Sequence, residues 1–325
     1  MALLILFALA LDLIYRAYRY FFPHPDIDPK GKYVLISGCD TGFGRQLALE
    51  LDKQGFHVFA GVLNSNSETS FREILSQRAT VFHLDVTKQE DIDAAFALVE
   101  KETNTLHALV NNAGISTSGY IDWMTMESMR RIMDVNYFGH VSMTKTFLPL
   151  LITRRYSRVI NICSVAGIVS APMKSAYSAS KYALEAFSDC LRREMASWNL
   201  YVSIIEPGPM RTPIIEGHDE YMTKFWNQLP NTVQQRWGED FLKVQMKNIS
   251  DNFLYRHAED PAKVVRELQH AVVNSKPDTR YRPGWQAKLF FFPLSMIPTW
   301  LSDWILVRAV DSDTMPADVR KQHTE

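Results

Sequence analysis

The chain has 325 residues, 46% of them hydrophobic and 22% charged, with a formal net charge of −1. That length fits one large α/β domain with attachments, and the near-neutral balance gives a nucleic acid no electrostatic footprint to bind. The three cysteines (Cys39, Cys163, Cys190) are scattered and lack a CxxC pair, and the nine histidines show no ligand spacing. Neither a disulfide framework nor a metal site is therefore expected.

Residues 2–14 are apolar except for Asp12, and Tyr15 to Phe22 adds aromatics with Arg16 and Arg19. A full span takes about 20 apolar residues, a length reached here only if those charges are tolerated. Asp12 and Arg16 stand four apart and can pair on a helix. The positive charges follow the apolar run, the wrong order for a cleaved signal peptide. Residues 1–22 are expected to form a retained N-terminal membrane anchor helix, with the positive-inside bias leaving all that follows in the cytosol. Pro23-His-Pro-Asp-Ile-Asp-Pro29 reads as the linker.

Strand-like and helix-like runs then alternate. Tyr33–Ser37, His57–Leu63, Thr80–Leu84, Leu106–Asn111, Arg158–Cys163 and Tyr201–Glu206 are short and β-rich, while Gly44–Gln54, Gln89–Glu102 and Met124–Ile152 read as helices. Near-continuous apolar strands separated by helices predict an α/β fold, a doubly wound parallel sheet covered on both faces. Residues 209–256, rich in Met, Trp and polar groups, are a long insertion of the kind that becomes a substrate lid. In the apolar zone 285–310, Pro293 and Pro298 argue against one straight spanning helix. Trp300, Leu301, Trp304 and Ile305 recur at helical spacing, predicting an amphipathic segment with one stripe that meets a membrane surface or caps the core.

Two constellations carry chemistry. The first strand runs into Ser37-Gly-Cys-Asp-Thr-Gly-Phe-Gly44 and then a helix, so that Gly38, Gly42 and Gly44 allow backbone approach to a pyrophosphate at a helix N-terminus. Farther on, Tyr177 and Lys181 stand one helical turn apart, with Ser164 upstream. A free phenol titrates near pH ~10, and a fixed ammonium beside it favours the phenolate, making it a usable acid/base.

Together, Gly-x-x-x-Gly-x-Gly, Asn111-Asn-Ala-Gly114, Asn136, Ser164 and Tyr177-x-x-x-Lys181 resemble the short-chain dehydrogenase/reductase superfamily across residues 30–283. Ser37 stands where that family usually has threonine, and both offer a hydroxyl. The runs Leu84–Lys88, Glu185–Glu194 and Arg280–Lys288 resemble one branch, which holds membrane-bound hydroxysteroid and retinol dehydrogenases and 3-hydroxybutyrate dehydrogenase. The resemblance implies a Rossmann fold with a seven-stranded sheet and a nicotinamide cofactor. It implies Tyr177 as catalytic acid/base, Lys181 as its activator and a ribose ligand, Ser164 on the substrate oxygen and Asn136 holding a relay water. For the cofactor it implies Ser37, Gly38, Gly42, Phe43 and Gly44 around the pyrophosphate, Asp85 at the adenine, and Asn111, Ala113 and Gly114 along the adenosine side. Pro207, Gly208 and Thr212 would lie beside the nicotinamide, with Met210 and Lys174 on the substrate side.

The expected second-strand end, Ala60-Gly-Val-Leu-Asn-Ser-Asn66, has no basic group for a 2′-phosphate, so NAD is expected over NADP, with Arg45 the one residue able to reverse this. The apolar ends and the branch resemblance point to a lipophilic alcohol or ketone such as a hydroxysteroid or retinol. Lys174, three residues before Tyr177, occupies a position where 3-hydroxybutyrate dehydrogenases carry a base for a carboxylate; a carboxylated sterol would reconcile the two. From a different class, the alternative is a membrane-anchored NAD-binding scaffold without turnover. Membrane lipid as partner, pairing into a homodimer, and an endoplasmic reticulum location with a cytosolic domain complete the expectation, with the mitochondrial inner membrane as alternative.

Overall fold

The computed structural model describes residues 21–215, 218–308 and 314–323, together with positions 7, 11, 14, 17 and 18. Seven strands, β1 (Tyr33–Ile36), β2 (His57–Val62), β3 (Ala79–His83), β4 (Ala108–Asn111), β5 (Arg158–Ile162), β6 (Tyr201–Ile205) and β7 (Arg280–Tyr281), form one sheet. Their order is β3-β2-β1-β4-β5-β6-β7 and every pairing is parallel. The winding reverses between β1 and β4, which leaves a crevice at their carboxyl ends, where ligands bind in this architecture. Six strands fall within two residues of their expected bounds. The two-residue β7 is too short to carry a periodicity.

The helices of the main body are α1 (Gly42–Gln54), α2 (Ser65–Arg72), α3 (Gln89–Glu102), α4 (Met126–Met133), α5 (His140–Leu151) and α6 (Ser175–Glu194). Beyond β6 come α7 (His218–Asn227), α8 (Asn231–Trp237), α9 (Glu239–Asp251), α10 (Phe253–Arg256) and α11 (Ala262–Val273), and beyond β7 come α12 (Phe292–Leu294), α13 (Thr299–Arg308) and α14 (Ala317–Gln322). Burial of the sheet on both faces explains its near-continuous apolar strands. Val34 and Ile36 of β1 face a core that includes Leu47 and Leu51 of α1 and Val264, Leu268 and Val272 of α11. Leu35, between them, faces Ile92 and Val99 of α3, Phe147 and Leu151 of α5 and Leu191 of α6. The carboxyl end of α11 is held by the buried Arg158, whose Nη1 donates to the carbonyls of Val272 (2.9 Å) and Asn274 (2.8 Å). A cation there complements the helix dipole.

Two differences from expectation bear on the site. The single helix expected over Met124–Ile152 is interrupted by a wide, π-helical turn, Asp134–Gly139. Such turns gather at functional positions, and this one is centred on Asn136. The segment 209–256 folds as helices α7 to α10 around their own aromatic core, in which the buried Trp123 meets Trp226 (5.2 Å between ring centroids) and Trp237 (5.5 Å) edge-on. Asp122 ties this cap down, accepting from Arg236 Nη1 at 2.6 Å and Trp237 Nε1 at 2.8 Å.

The stripe expected on α13 is split. Ile305 and Leu306 pack with Phe291 and Leu294 against Val165 and Val169, while Trp300 and Trp304 point to solvent. The helix is apolar on both sides, so spacing alone could not say which side turns inward. The anchor expected at residues 1–22 falls for the most part outside the described residues, and among the described residues no helix is long and apolar enough to cross a membrane.

Candidate active site

The turn between β1 and α1 is shaped by two glycines with left-handed backbone, Gly38 (φ 71°) and Gly42 (φ 62°). A Cβ on Gly38 would lie 2.7 Å from Ala113 Cα, and one on Gly44 would lie 2.5 Å from Asn112 Nδ2, so both positions exclude a side chain. Asn112 Nδ2 locks the turn by donating to the carbonyls of Ser37 (2.9 Å) and Gly38 (2.8 Å). The Ser37 hydroxyl accepts from the Asn112 and Ala113 amides at 3.1 and 3.2 Å. Gly42 faces open space. That leaves bare backbone at the N-terminus of α1, as a pyrophosphate requires.

Above this turn lies a cavity of about 860 Å³, bounded by Gly38, Gly42, Phe43, Asp85, Ala113, Gly114 and Thr212 among the expected residues. Asp85 accepts from the Thr87 amide (3.0 Å) and hydroxyl (2.7 Å). Burial alone would raise its pKa, but the Thr87 hydrogen bonds and the Lys88 charge leave it below the usual value. Asn111, expected along the adenosine side, does not line this cavity. It is fully buried inside the sheet, its Nδ2 donating to Thr144 Oγ1 (3.0 Å) and Asn161 Oδ1 (2.8 Å), and Asn112 lines the cavity instead. Successive strand residues point to opposite faces, so a shift of one position moves a side chain out of the site. Arg45 does not line the cavity; its guanidinium lies 4.2 Å over the Phe71 ring.

A second cavity, of about 190 Å³, adjoins the first through Phe43, Asn112, Gly114, Thr212 and Ile214, which line both. Its wall brings together Ser164, Lys174, Tyr177, Lys181, Pro207, Gly208 and Met210. Ser164 leaves the end of β5 and accepts from the Ala166 amide at 3.1 Å. Tyr177 and Lys181 project from α6, Lys181 Nζ standing 5.8 Å from the Tyr177 ring centroid and donating to the Ile162 carbonyl at 2.8 Å. Asn136 stands behind them, fully buried; its amide bridges both backbone groups of Ile115 (2.9 Å each) and donates to Ser180 Oγ at 3.1 Å. Ser180 Oγ donates in turn to the Tyr177 carbonyl at 2.7 Å, so the π-helical turn braces the helix that carries the phenol.

The electrostatics differ from what the spacing predicts. Burial pushes the Tyr177 phenol well above its ordinary value, opposed by its hydrogen bond with Ser164. Burial likewise pulls Lys181 down. The chain's own groups thus store an un-ionised phenol beside a desolvated cation. An added positive charge in the adjoining cavity would push the phenol back toward the phenolate. Lys174, desolvated by the cavity wall, is pulled down to about 8, and its Nζ donates to Ser116 Oγ at 3.3 Å.

Spacing gave no signal for Asn112, Ser116, Ser180, Ile214 or Tyr255. Tyr255, on α10, reaches the smaller cavity only because the 209–256 segment folds back over it. Its phenol raises the pKa of Tyr177 further, behind the larger effect of burial.

Comparison with known proteins agrees with this geometry. The family profile described as short chain dehydrogenase matches residues 32–222. The chain belongs to the short-chain dehydrogenase family. It is 38% identical to mouse retinol dehydrogenase 5 over 291 residues, covering 86% of this chain and 90% of that protein. With bovine 17-beta-hydroxysteroid dehydrogenase type 6 it shares 38% identity over 283 residues, 86% of this chain and 88% of the relative. A short-chain dehydrogenase of Streptomyces avermitilis superposes with a TM-score of 0.68 at 27% identity, covering 88% of this chain and all of the other. A Burkholderia cenocepacia short chain dehydrogenase in complex with NADP has the same fold, with a TM-score of 0.66 at 22% identity over 86% of this chain and 99% of its own. The dehydrogenase is thus an alcohol dehydrogenase/reductase built to use a nicotinamide cofactor. The open Gly42 backbone and the larger cavity fit such a group. The cofactor supplies the hydride chemistry, and the chain's own residues bind, orient and move the proton.

Proposed function

We propose that this dehydrogenase interconverts a lipophilic alcohol of the retinol or hydroxysteroid class and its carbonyl compound, with NAD(H). The observation that carries the reading is the convergence of the Tyr177 and Ser164 hydroxyls on the wall of a small, mainly apolar cavity that opens into the larger one. Two hydroxyls at one point stabilise the charge that builds on a reacting oxygen. Tyr177 takes or returns the proton, Ser164 holds the oxygen, Lys181 biases the phenol toward ionisation, and Asn136 fixes the geometry that a relay water needs. The named relatives, retinol and 17-beta-hydroxysteroid dehydrogenases, support the substrate class.

Purified protein incubated with NAD and a panel of retinol, hydroxysteroids and 3-hydroxybutyrate, followed by NADH absorbance, tests this. Tyr177→Phe is expected to lower kcat by at least ~100-fold, the usual contribution of a general acid/base, while leaving cofactor binding in place. Wild-type protein that binds NADH but turns over no member of the panel would favour the scaffold reading.

A second reading rests on Lys174. Its ammonium lies in the substrate cavity 5.9 Å from the Tyr177 ring centroid, and among the described residues it forms no ion pair with a carboxylate. This favours a substrate with an acidic group, 3-hydroxybutyrate or a carboxylated sterol. Turnover confined to acid-bearing alcohols, with KM raised by Lys174→Ala, would select it over a neutral sterol or retinoid.

Membrane contact through the outward apolar residues of 285–308, and an endoplasmic reticulum location with the domain in the cytosol, belong to the same reading. Pairing into a homodimer is supported by Phe138 and Tyr182, large apolar side chains exposed on the α4–α6 side.

A further inference from the structure

Dinucleotide enzymes of this architecture tell NAD from NADP beside the adenosine ribose, where an acid at the end of the second strand accepts from the 2′-hydroxyl or a base binds the 2′-phosphate. In this chain the residues at that place, Leu63, Asn64 and Ser67, line the larger cavity and carry no charge. A carboxylate nevertheless stands among them. It belongs to Asp40, from the glycine-rich turn, which lines the same cavity.

Asp40 is fixed from both oxygens. Oδ2 accepts from the Leu63 amide and Oδ1 from the Asn64 amide, each at 2.9 Å. Those amides are the backbone donors that the end of β2 could otherwise turn toward a phosphate. The next donor is also engaged, because the Asn66 amide donates to the Asn64 side chain at 2.9 Å and so caps α2. Two lone-pair sites remain on the carboxylate for the hydroxyls of a ribose.

Among the described residues no cation forms an ion pair with Asp40. Arg45 is stacked on Phe71, Arg72 is paired with Glu68 (2.7 Å), and Arg78 faces Asp52 (3.6 Å). Arg130 and Arg131 also line the cavity, but they come from α4, in company with Glu127 and Asp134. A 2′-phosphate set against Asp40 would meet like charge and find its donors taken, an arrangement that costs several-fold to many-fold in affinity.

We infer that Asp40, carried by the glycine-rich turn, is the residue that makes this site take a 2′-hydroxyl and reject a 2′-phosphate. The inference rests on the larger cavity being the dinucleotide site.

Fluorescence titration of the full chain with NADH and with NADPH reads it without turnover, and competition by adenosine 5′-monophosphate against adenosine 2′,5′-bisphosphate isolates the ribose end. Wild-type protein is expected to bind NADH at least ~100-fold tighter than NADPH. Asp40→Ser frees both amides and removes the charge, so that ratio should shrink at least ~10-fold, chiefly through tighter NADPH binding. Asp40→Asn, of the same size, should move the ratio in the same direction, and thermal melting identifies any variant that fails to fold. Equal weakening of both cofactors in the two variants would make Asp40 a brace of the turn and overturn the inference. Wild-type binding of NADPH as tight as NADH, held by Arg130 and Arg131, would overturn it too. Binding of neither cofactor to the wild type would remove the cavity assignment itself, an outcome distinct from NADH binding that both variants leave unchanged in ratio.

Discussion

His140 shows how much of a site's behaviour depends on a residue that touches no substrate. It is fully buried at the start of α5, with Nε2 2.7 Å from the Ala113 carbonyl, so the neutral ring donates its one proton there. Burial, then the charge of Lys181, pulls its pKa to about 3. His107, with Nε2 3.0 Å from the Val272 carbonyl, is also pulled to about 3, by burial and then by Arg158. In the unfolded chain both rings would titrate near pH ~6.5. Below that value the unfolded state binds protons that the folded state refuses, so this stability is present above the unfolded pKa and lost as pH falls toward 3. By pH ~4.5 each histidine should have cost roughly 2–3 kcal/mol. Urea midpoints measured from pH 7 to 4.5 should fall steeply in the wild type and less steeply in His140→Gln; parallel curves would refute the assignment. Single residues also mark where sequence reading stops. The i, i+4 spacing reveals the Tyr177/Lys181 pair, yet which way the phenol's pKa moves is decided by burial, opposed by the hydrogen bond with Ser164. Neither is visible along the chain. The doublet Asn111-Asn112 is the other instance, since only the strand's register decides which asparagine enters the sheet and which clamps the turn.

At the scale of elements, two sequence runs recognisable separately prove to be halves of one joint. Arg280 of β7 reaches Glu185 (3.0 Å) and Asp189 (3.3 Å) on α6 and Glu206 (3.0 Å) at the end of β6. Arg282 pairs with Glu206 at 2.7 Å and stacks 3.8 Å over the Phe292 ring. The network therefore bolts the helix bearing Tyr177 to the short edge strand and to the C-terminal segment. With Glu185 and Arg280 separated by 95 positions, no local pattern announces the contact. Glu206 is fully buried; burial raises its pKa, aided by Glu185, and its two arginines counter that rise. Removing one partner of a buried pair strands the other, at a cost of about 3–5 kcal/mol. Glu206→Ala is expected to lose that much in urea unfolding. Lys53→Ala should change stability by less than ~1 kcal/mol, because its pair with Glu50 is exposed on both sides. A loss at Glu206 no larger than at Lys53 would show that the arginines reach water when released.

For the whole molecule, the question is how the domain presents its apolar ends. The linker runs beside the end of α11, where the Ile27 amide donates to the Val273 carbonyl at 2.9 Å and Asn274 Nδ2 donates to the His24 carbonyl at 2.8 Å. His107 and Arg158, at the starts of β4 and β5, meet the same end of α11, so the linker lies at the amino edge of the sheet. The segment 285–308 packs instead on Val165 and Val169, beside Ser164 at the carboxyl edge. Its outer side carries Leu289 (74% exposed), Met296 (71%) and Trp300 (71%), while Phe291 from the same stretch lines the smaller cavity. One segment thus has an apolar surface outside and a wall of the smaller cavity inside, the arrangement that the proposed lipophilic substrate would need to enter from lipid. Alternation of strands and helices made the layered body legible, but α13 carries large apolar side chains on two sides and only packing could choose its inner one. Because the linker and the C-terminal segment lie at opposite edges, lipid contact at the C-terminal face should not depend on residues 1–22. Residues 23–325, checked for cooperative melting, should co-sediment with phosphatidylcholine vesicles, and the double substitution Trp300→Glu, Trp304→Glu should lower the partition coefficient at least ~10-fold. Turnover of a water-soluble short alcohol should survive the same change, since neither tryptophan lines the cavity. Unchanged partitioning in the double variant would assign the exposed tryptophans to a protein contact and remove the lipid route to the chamber.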